Sequence, residues 1–156
     1  MVDQKVSILE IAQEKFEQLS KELKSNKSVS SSSILTNDNI SVELAMTRSI
    51  DQKQIKVEVS SAGECFDASF DGVFHNGTQT AYDLPGQLET LQGIIGFAKS
   101  IAKDNKLKEE VYTKNGKILF RRLITQHGVF ETSAVFAGRL RRFLGATKQT
   151  INYSRD

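Results

Sequence analysis

Apolar residues near the N-terminus of the chain recur at the spacing of an α-helix. Ser7 and Glu10 form the pattern of a capping box, in which the hydroxyl accepts a hydrogen bond from a backbone N–H and the carboxylate reaches back to the cap. The apolar positions that follow make one stripe, namely Ile8, Ile11, Ala12, Phe16, Leu19 and Leu23. This pattern predicts a first helix over about residues 7–24.

A serine-rich segment follows this helix. Residues 25–36 include four consecutive serines, at positions 30 to 33. Serine side chains compete with the backbone for hydrogen bonds and add nothing to an apolar core. We interpret the segment as a flexible linker, so that the first helix packs loosely on its own domain or against another chain.

The period of the apolar positions changes from 3.6 to 2 at Ile40. Apolar and polar residues then alternate through three segments, which is typical of antiparallel strands with one dry and one wet face. The apolar positions are Ile40, Val42, Leu44 and Met46, then Ile55, Val57 and Val59, then Phe66, Ala68, Phe70 and Phe74. Asn76 and Gly77 suit a type I′ turn, whose two central residues need positive φ, and they predict a return into a short strand through Tyr82.

Helical spacing resumes after this predicted meander. Asp83 can cap a helix and Pro85 suits its first turn. The apolar residues that follow cover more than half of the helix circumference, at positions Leu88, Leu91, Ile94, Ile95, Ala98, Ile101 and Ala102. Gly93 and Gly96 lie inside this helix, and we interpret them as flat spots for close packing.

The last third of the chain predicts a hairpin and a third helix. Asn115 and Gly116 join Glu110–Lys114 to Lys117–Thr125. Thr132 or Ser133 caps the last helix, which Gly145 ends in the left-handed conformation. The predicted order is α-β-β-β-(β)-α-β-β-α, an antiparallel meander plus a second hairpin packed with three helices. We therefore expect one α+β domain over residues 1–156.

Composition narrows the class of protein. A chain of 156 residues fits one domain, and 38% apolar with 26% charged residues is typical of a globular protein. Cys65 is the sole cysteine, so no internal disulfide forms. The N-terminus has no apolar core of the kind found in signal peptides, and no stretch approaches the ~18 apolar residues of a membrane span. We expect a cytoplasmic protein with no membrane segment.

The net charge of +2 conceals an asymmetry along the chain. Residues 1–100 hold 9 Lys and Arg against 14 Asp and Glu, a net charge of −5. Residues 101–156 hold 12 against 5, a net charge of +7. Two interpretations stay open: the basic third binds an anionic partner such as nucleic acid, or the two parts pack side by side and neutralise each other.

Three arginines stand within the predicted last helix. In the stretch FAGRLRRFLGATK, residues 136–148, the large apolar residues fall in one arc of about 100°. Arg139, Arg141 and Arg142 spread over the opposite side, with Lys148 just beyond the helix. These cations form either a solvated face or a surface that contacts phosphate or a protein partner.

Two further arginines interrupt ILFRRLIT, a strand that is apolar on both faces. Arg121 and Arg122 point to opposite faces, and each must find a carboxylate or reach water, because an unpaired buried charge costs several kcal/mol. Structural pairing is the favoured explanation. If an anionic ligand binds, these two residues are the first candidates to meet it.

Basic and aromatic residues share the second hairpin. Lys114 and Lys117 lie near Tyr112 and Phe120, which we expect to be cross-strand neighbours. Aromatic rings beside cations are typical of strands that bind single-stranded nucleic acid, and the same pattern describes any half-buried hairpin.

No set of residues in the sequence predicts catalysis or metal binding. His75 and His127 have no metal-ligand spacing with Cys65. A Cys65 nucleophile would need one of these histidines as its base, and in a continuous strand His75 would lie roughly 33 Å away. We therefore predict no catalytic residue, no metal and no cofactor. An enzyme whose site is assembled from distant residues, among them Arg122 and His127, stays a third hypothesis.

The favoured prediction is a non-catalytic protein-binding module, either an adaptor or chaperone-like, with a protein partner or self-association into a dimer. The element order loosely resembles that of small bacterial secretion chaperones, a resemblance that no motif carries. The alternative is a nucleic-acid-binding protein that uses the basic C-terminal hairpin and helix. Its candidate contacts are Arg121, Arg122, Arg139, Arg141, Arg142, Lys114, Lys117 and Lys148.

Overall fold

The fold is α+β and contains two antiparallel sheets. The computed structural model describes residues 7–75, 79–126, 128–131 and 147–152. They belong to two compact units, one comprising residues 1–102 and the other residues 103–156. The single-domain assignment stays a prediction, because compactness does not say whether each unit folds alone.

Helix α1 spans Ile8–Ser25, in agreement with the predicted first helix. Ser7 Oγ accepts a hydrogen bond from the Glu10 backbone N–H, and the Glu10 carboxylate accepts one from the Ser7 backbone N–H, so the capping box is confirmed. The apolar stripe of the helix packs against the first sheet, with Ala12, Phe16 and Leu23 fully buried.

The serine-rich segment is not a flexible linker. Strand β1 spans Val29–Asn37 and pairs antiparallel with strand β2, which spans Val42–Arg48. The pairing register of β1 shifts between Val29 and Ser33. The linker prediction for residues 25–36 is wrong because the segment pairs with the next strand of the chain and contacts α1. The β2 backbone pairs with it, and the Ser33 hydroxyl lies 2.8 Å from the Ser20 hydroxyl of α1.

Four more strands complete the first sheet. They are β3, Gln54–Ser60; β4, Cys65–Phe70; β5, Phe74–His75; and β6, Gln79–Thr80. The order is β1-β2-β3-β4-β5, with β6 also paired to β4. The predicted alternation is confirmed in β2 to β4, where apolar residues face the helix side and are buried: Val42, Leu44, Met46, Ile55, Val57, Val59, Phe66, Ala68 and Phe70.

Ile40 departs from the predicted alternation, because it precedes β2 and is 61% exposed. Asp38 Oδ1 accepts hydrogen bonds from the Ile40 and Ser41 backbone N–H groups, which holds Ile40 in the turn between β1 and β2. The Ile40 hydrogen bond is the main reason that the pKa of Asp38 is lowered.

The chain reverses earlier than the sequence pattern indicates. Asp71 and Gly72 adopt φ of 57° and 66°, which makes the turn that separates β4 from β5. Phe70 and Phe74 are therefore cross-strand partners, with ring centroids 6.5 Å apart. The predicted turn at residues 76 and 77 lies outside the described residues.

Helix α2 spans Leu84–Lys103. Asp83 caps it as predicted, since Asp83 Oδ1 accepts a hydrogen bond from the Gly86 backbone N–H at 2.9 Å. The Gln87 side chain ties the first turn to the sheet by donating to the Gly63 carbonyl at 3.0 Å. No helix among the described residues is long and apolar enough to cross a membrane.

A fully buried arginine holds the other end of α2. Arg48, the last residue of β2, donates from Nη1 to the Ile101 carbonyl at 2.8 Å. That carbonyl belongs to the last helical turn, whose acceptors have no partner within the helix. Arg48 Nη2 lies 2.9 Å from Asp51 Oδ2, and the guanidinium lies 5.7 Å from the centre of the Phe70 ring. The Asp51 carboxylate compensates the buried charge.

The second sheet has four strands, in the order β10-β7-β8-β9. They are β7, Lys108–Lys114; β8, Lys117–Thr125; β9, Gly128–Glu131; and β10, Thr147–Asn152. The β7–β8 hairpin is confirmed, with Asn115 and Gly116 at φ of 51° and 73°. The described residues contain two helices, and the predicted third helix, from Thr132 or Ser133 to Gly145, lies outside the residues that the structure describes.

A left-handed turn joins β3 to β4. Ser61, Ala62 and Gly63 have φ of 53°, 57° and 100°. A Cβ atom at Gly63 would overlap the Ile8 Cγ2 methyl, so glycine is required both for its backbone conformation and for the close approach of α1.

We predict that Gly63→Ala lowers the free energy of unfolding by about 1–3 kcal/mol, because it combines a strained φ with the overlap at Ile8. Ala62→Gly is the matched control at the neighbouring positive φ, and it should be neutral or stabilising. Urea denaturation of both variants measures the difference. Equal stability of Gly63→Ala and wild type would contradict the assigned turn.

We also predict that Arg48→Met destabilises the protein by about 3–5 kcal/mol, because it leaves the buried Asp51 carboxylate and the Ile101 carbonyl without their partner. Lys53→Met is the control, since it removes a partly exposed pair with Asp71, and it should cost less than about 1 kcal/mol. Denaturant unfolding of the two variants under the same conditions tests the contrast. Similar losses would show that the Arg48 contacts are not specially stabilising.

Candidate protein-binding surfaces

A groove of about 490 Å³ lies between α1 and α2 in the first unit. Leu19, Leu88 and Ile95 provide its apolar lining, and polar side chains of both helices, among them Lys15 and Gln92, surround them. Glu22 of α1 and Lys99 of α2 form an ion pair with a 2.9 Å separation between Oε2 and Nζ. An apolar floor within a polar rim is the usual character of a binding groove.

Helix α2 exposes a large apolar residue, Leu88, and a glycine, Gly96, toward the groove. Leu88 is 39% exposed although it is a large apolar residue. Gly96 is exposed in the interior of the helix, and a Cβ atom added there would meet no described atom within 4 Å. Glycine inside a helix costs about 0.5–1 kcal/mol relative to alanine. No packing among the described residues compensates that cost at Gly96.

Gly93 does not line the groove, and a Cβ atom there also meets no described atom within 4 Å. The prediction that both glycines serve close packing is therefore not met within the described structure. Nothing in the structure explains Gly93.

The sheet face opposite the helices carries a row of carboxylates. Glu43, Glu58 and Asp67 are successive cross-strand partners on β2, β3 and β4. Like charges opposite each other are destabilising, but both ends of the row are paired. Lys56 Nζ lies 3.5 Å from Glu43, and His75 Nδ1 lies 3.1 Å from Asp67. Within the sheet, Lys56 thus neutralises the Glu43 end of the row, and His75 hydrogen-bonds to the Asp67 end.

The two strand arginines of the second unit pair with carboxylates of the neighbouring strand. Arg121 Nε donates to Glu109 Oε1, and the Glu109 side chain is 1% exposed. Arg122 Nη1 lies 3.6 Å from Glu110 Oε2. The two arginines therefore have the structural ion pairs that were the favoured explanation for them. Two consecutive glutamates on β7 pair with two consecutive arginines on β8.

Glu110 also binds two other groups. Tyr112 Oη donates to Glu110 Oε2 at 2.8 Å, and Lys148 Nζ donates to Oε1 at 3.3 Å. Burial raises the pKa of Glu110, but the Tyr112 hydrogen bond and the charges of Lys148 and Arg122 outweigh it and lower the pKa below its ordinary value of 4.5. Glu110 therefore connects β7, β8 and β10.

The remaining predicted anion contacts divide into two groups. Lys114 and Lys117 face each other at the turn of the β7–β8 hairpin, and neither has an ion pair among the described residues. The candidates Arg139, Arg141 and Arg142 lie outside the described residues. The structure thus brings Arg122 and Lys148 together on one carboxylate and does not gather the described cations into one cluster of unpaired charge.

The aromatic residues of the second hairpin are not open stacking surfaces. Tyr112 and Phe120 are cross-strand partners, as predicted, and their rings stack at 4.4 Å. They are 7% and 2% exposed, so their faces are already covered.

Cys65 and His75 lie at different places along β4. Cys65 begins the strand, whereas His75 pairs with Ser69, four residues further on and roughly 13 Å away. His127 lies outside the described residues. No group of three or more His, Cys, Asp or Glu side chains within the described ranges has the geometry of a metal site.

Sequence patterns did not predict the roles of Arg48 and Asp104. Arg48 has the appearance of an ordinary polar strand end, and only its neighbours in space show it to be buried. Asp104 is 4% exposed and accepts hydrogen bonds from the Lys106 and Gln126 backbone N–H groups. The sequence signal for Asp104 was its place directly after the last helical turn, where an aspartate favours a turn.

No family model matches the chain, and neither does any curated protein or solved structure.

We predict that the stabilising effect of Glu110 depends on pH. Because the pKa of Glu110 is lower in the folded protein than in the unfolded chain, its contribution is present above pH about 4.5 and is lost as the pH falls through the folded value. Glu110→Gln should thus be less stable than wild type at pH 7, and the difference should shrink in acid. Urea titrations from pH 7 to 3 measure it.

The control for this prediction is Lys148→Met, which removes one of the charges that lower the Glu110 pKa. In that background the pH dependence of the Glu110→Gln effect should be smaller. A difference that stays constant from pH 7 to 3 would show that the carboxylate charge is not what stabilises this part of the sheet.

Proposed function

We propose that this chain is a non-catalytic protein-binding module, of the adaptor or chaperone-like kind, which binds an amphipathic helix of a partner protein in the groove between α1 and α2. The observation that carries the proposal is the exposed Leu88 and Gly96 surface of α2 along that groove. Apolar residues in a groove between helices are typical of sites that bind the apolar face of a helix.

Gly96 explains how a helix would fit. In the free protein this residue costs helix stability without a described packing partner. An approaching helix can come close to the α2 backbone at a glycine, so the cost is compensated only in a complex. Leu88 lies about two helical turns before Gly96 and also lines the groove, so it would contact an apolar side chain of the partner helix.

Charge around the groove indicates the partner's polar residues. Glu22 and Lys99 neutralise each other across the groove, whereas Lys15 has no ion pair among the described residues. A carboxylate on the rim of the partner helix would complement Lys15. Such rim charges contribute mainly to association rate and specificity.

The nucleic-acid alternative is favoured by one observation, namely that Lys114 and Lys117 at the hairpin turn have no ion pair in the part of the chain that the structure describes. Arg121, Arg122 and Lys148 weigh against it, because each is already paired with a glutamate. Fluorescence anisotropy with single-stranded and double-stranded probes at about 50 mM salt tests it. Binding that is lost in Lys114→Glu/Lys117→Glu supports the alternative, and no binding under these conditions removes it.

We predict that Gly96→Met raises the free energy of unfolding by about 0.5–1 kcal/mol and at the same time weakens partner binding at least about tenfold. The longer side chain improves helix propensity and fills the groove. Gly93→Met is the matched control, since it should stabilise α2 equally without entering the groove. Thermal unfolding and quantitative affinity capture with the full chain measure the two effects.

We expect Gly96→Met to lose partner proteins that Gly93→Met still captures. Calorimetry with those partners should confirm the difference in binding. The proposal is wrong if the two variants capture the same proteins in the same amounts as wild type does. A loss of stability in Gly96→Met would contradict the open space assigned beside this residue.

A further inference from the structure

Strand β1 is an edge strand of the first sheet, as far as the described residues show. It pairs with β2 and with no other described strand. Its sequence, VSSSSILTN, contains no charged residue and no proline, which are the usual means of preventing edge-to-edge association. Ile34 is 67% exposed on this edge.

The hydrogen-bond pattern shows which backbone groups of β1 point outward. The Asp38 N–H donates to the Ser41 carbonyl at 3.0 Å, so these two residues form a hydrogen-bonded pair at the start of the β1–β2 ladder. Such pairs alternate along antiparallel strands, so Thr36 and Ile34 bond to β2. Ser33, Leu35 and Asn37 therefore direct their N–H and C=O groups away from it.

Helix α1 runs antiparallel to β1 and presents one flank beside this edge. The Ser20 hydroxyl contacts Ser33, and the Asn37 side chain contacts Gln13. A helical stripe through these two α1 residues also includes Glu10, Glu17 and Lys24. The stripe is thus acidic beside the Asn37 end of β1 and basic beside the Val29 end.

We infer that the β1 edge binds the β1 edge of a second copy of this chain, giving a symmetric dimer with one continuous antiparallel sheet. When the two-fold axis passes beside Ile34, Ser33 of one copy lies opposite Leu35 of the other. The outward-pointing N–H and C=O groups of these residues can then form hydrogen bonds between the two strands. The two exposed Ile34 side chains then lie directly opposite each other, in the pair geometry where side chains are closest.

The same symmetry brings the two α1 helices together. Each α1 contacts both β1 and β2. With strands about 4.8 Å apart, the two helix axes would lie roughly 10 Å from each other across the dimer axis. Packed helices are typically 8–10 Å apart, so the helices would be in contact.

Charge complementarity favours a second copy over an unrelated strand. The two α1 helices run in opposite directions, so the acidic half of each stripe faces the basic half of the other. Lys24 of one copy lies between Glu10 and Glu17 of the other, about one helical turn from each. Neither Glu17 nor Lys24 has an ion pair among the described residues of its own chain.

The inference is independent of the proposed helix-binding groove. Lys15, Gln18 and Glu22 line that groove from the opposite flank of α1. A dimer through β1 would therefore leave both grooves open. The two proposals can be contradicted separately, because the Gly96 variant tests the groove and the β1 variants test the dimer.

The test is sedimentation equilibrium of the full chain from about 1 µM to about 1 mM, which covers ordinary weak dimers. Wild type should convert from monomer to dimer within this range. Ile34→Lys, which sets two lysines opposite each other, should raise the dimer dissociation constant at least about tenfold. Ile118→Lys is the matched control on the second sheet, where the isoleucine is 61% exposed, and it should leave the dissociation constant unchanged.

A charge exchange tests the register. Glu17→Lys and Lys24→Glu should each dissociate the homodimer, because like charges face each other in both copies of the contact. An equimolar mixture of the two variants should recover a heterodimer, since each new charge then faces its opposite. Glu89→Lys, on α2, has the same charge change as Glu17→Lys and should dimerise as wild type does.

A wild type that stays monomeric up to about 1 mM overturns the inference. A dimer that is insensitive to Ile34→Lys also overturns it, because association would then use another surface. Variants that dissociate singly but do not recover in the mixture contradict the antiparallel arrangement of α1.

Discussion

The first unit depends on the buried charge of Arg48. A guanidinium removed from water is costly unless it is paired and hydrogen-bonded, and here Asp51 pairs with it and accepts a hydrogen bond from Nε, while the Ile101 carbonyl accepts one from Nη1. The contact fastens the last turn of α2 to the end of β2, while Gln87 fastens the first turn to Gly63. Because α2 is held at both ends, its middle lies at a defined distance from α1. The groove between the helices follows from these two anchors.

Helix α1 separates the two surfaces for which we propose partners. Its buried stripe packs on the sheet, so its two flanks are free to differ. One flank forms a wall of the groove proposed to bind a helix. The other carries the acid-to-base stripe beside β1, where Glu10 and Lys24 lie at opposite ends. A dimer formed through β1 would present two grooves, so a partner with two helices would bind with higher effective affinity.

The second unit pairs three of its cations with carboxylates of its own sheet. Glu109 and Glu110 on β7 receive Arg121, Arg122 and Lys148 from the strands on either side. These pairs satisfy charges that the apolar β8 strand would otherwise leave unpaired. The net charge of +7 along residues 101–156 already counts these two glutamates, so most of it comes from other cations, among them Lys114, Lys117 and, outside the described residues, Arg139, Arg141 and Arg142.

The sequence by itself determined the local elements: the Ser7 capping box, the alternation of β2 to β4, the Asp83 cap and the Asn115-Gly116 hairpin. Each depends on side chains a few residues apart, which is the range that periodicity and turn preferences report. The tertiary structure alone decided the β1 strand, the burial of Arg48 and the open space at Gly96. Serines can form a strand when a neighbouring strand pairs with them, and an arginine can be buried when a helix end accepts its hydrogen bond. These partners come from elsewhere in the chain, so no local pattern contains them.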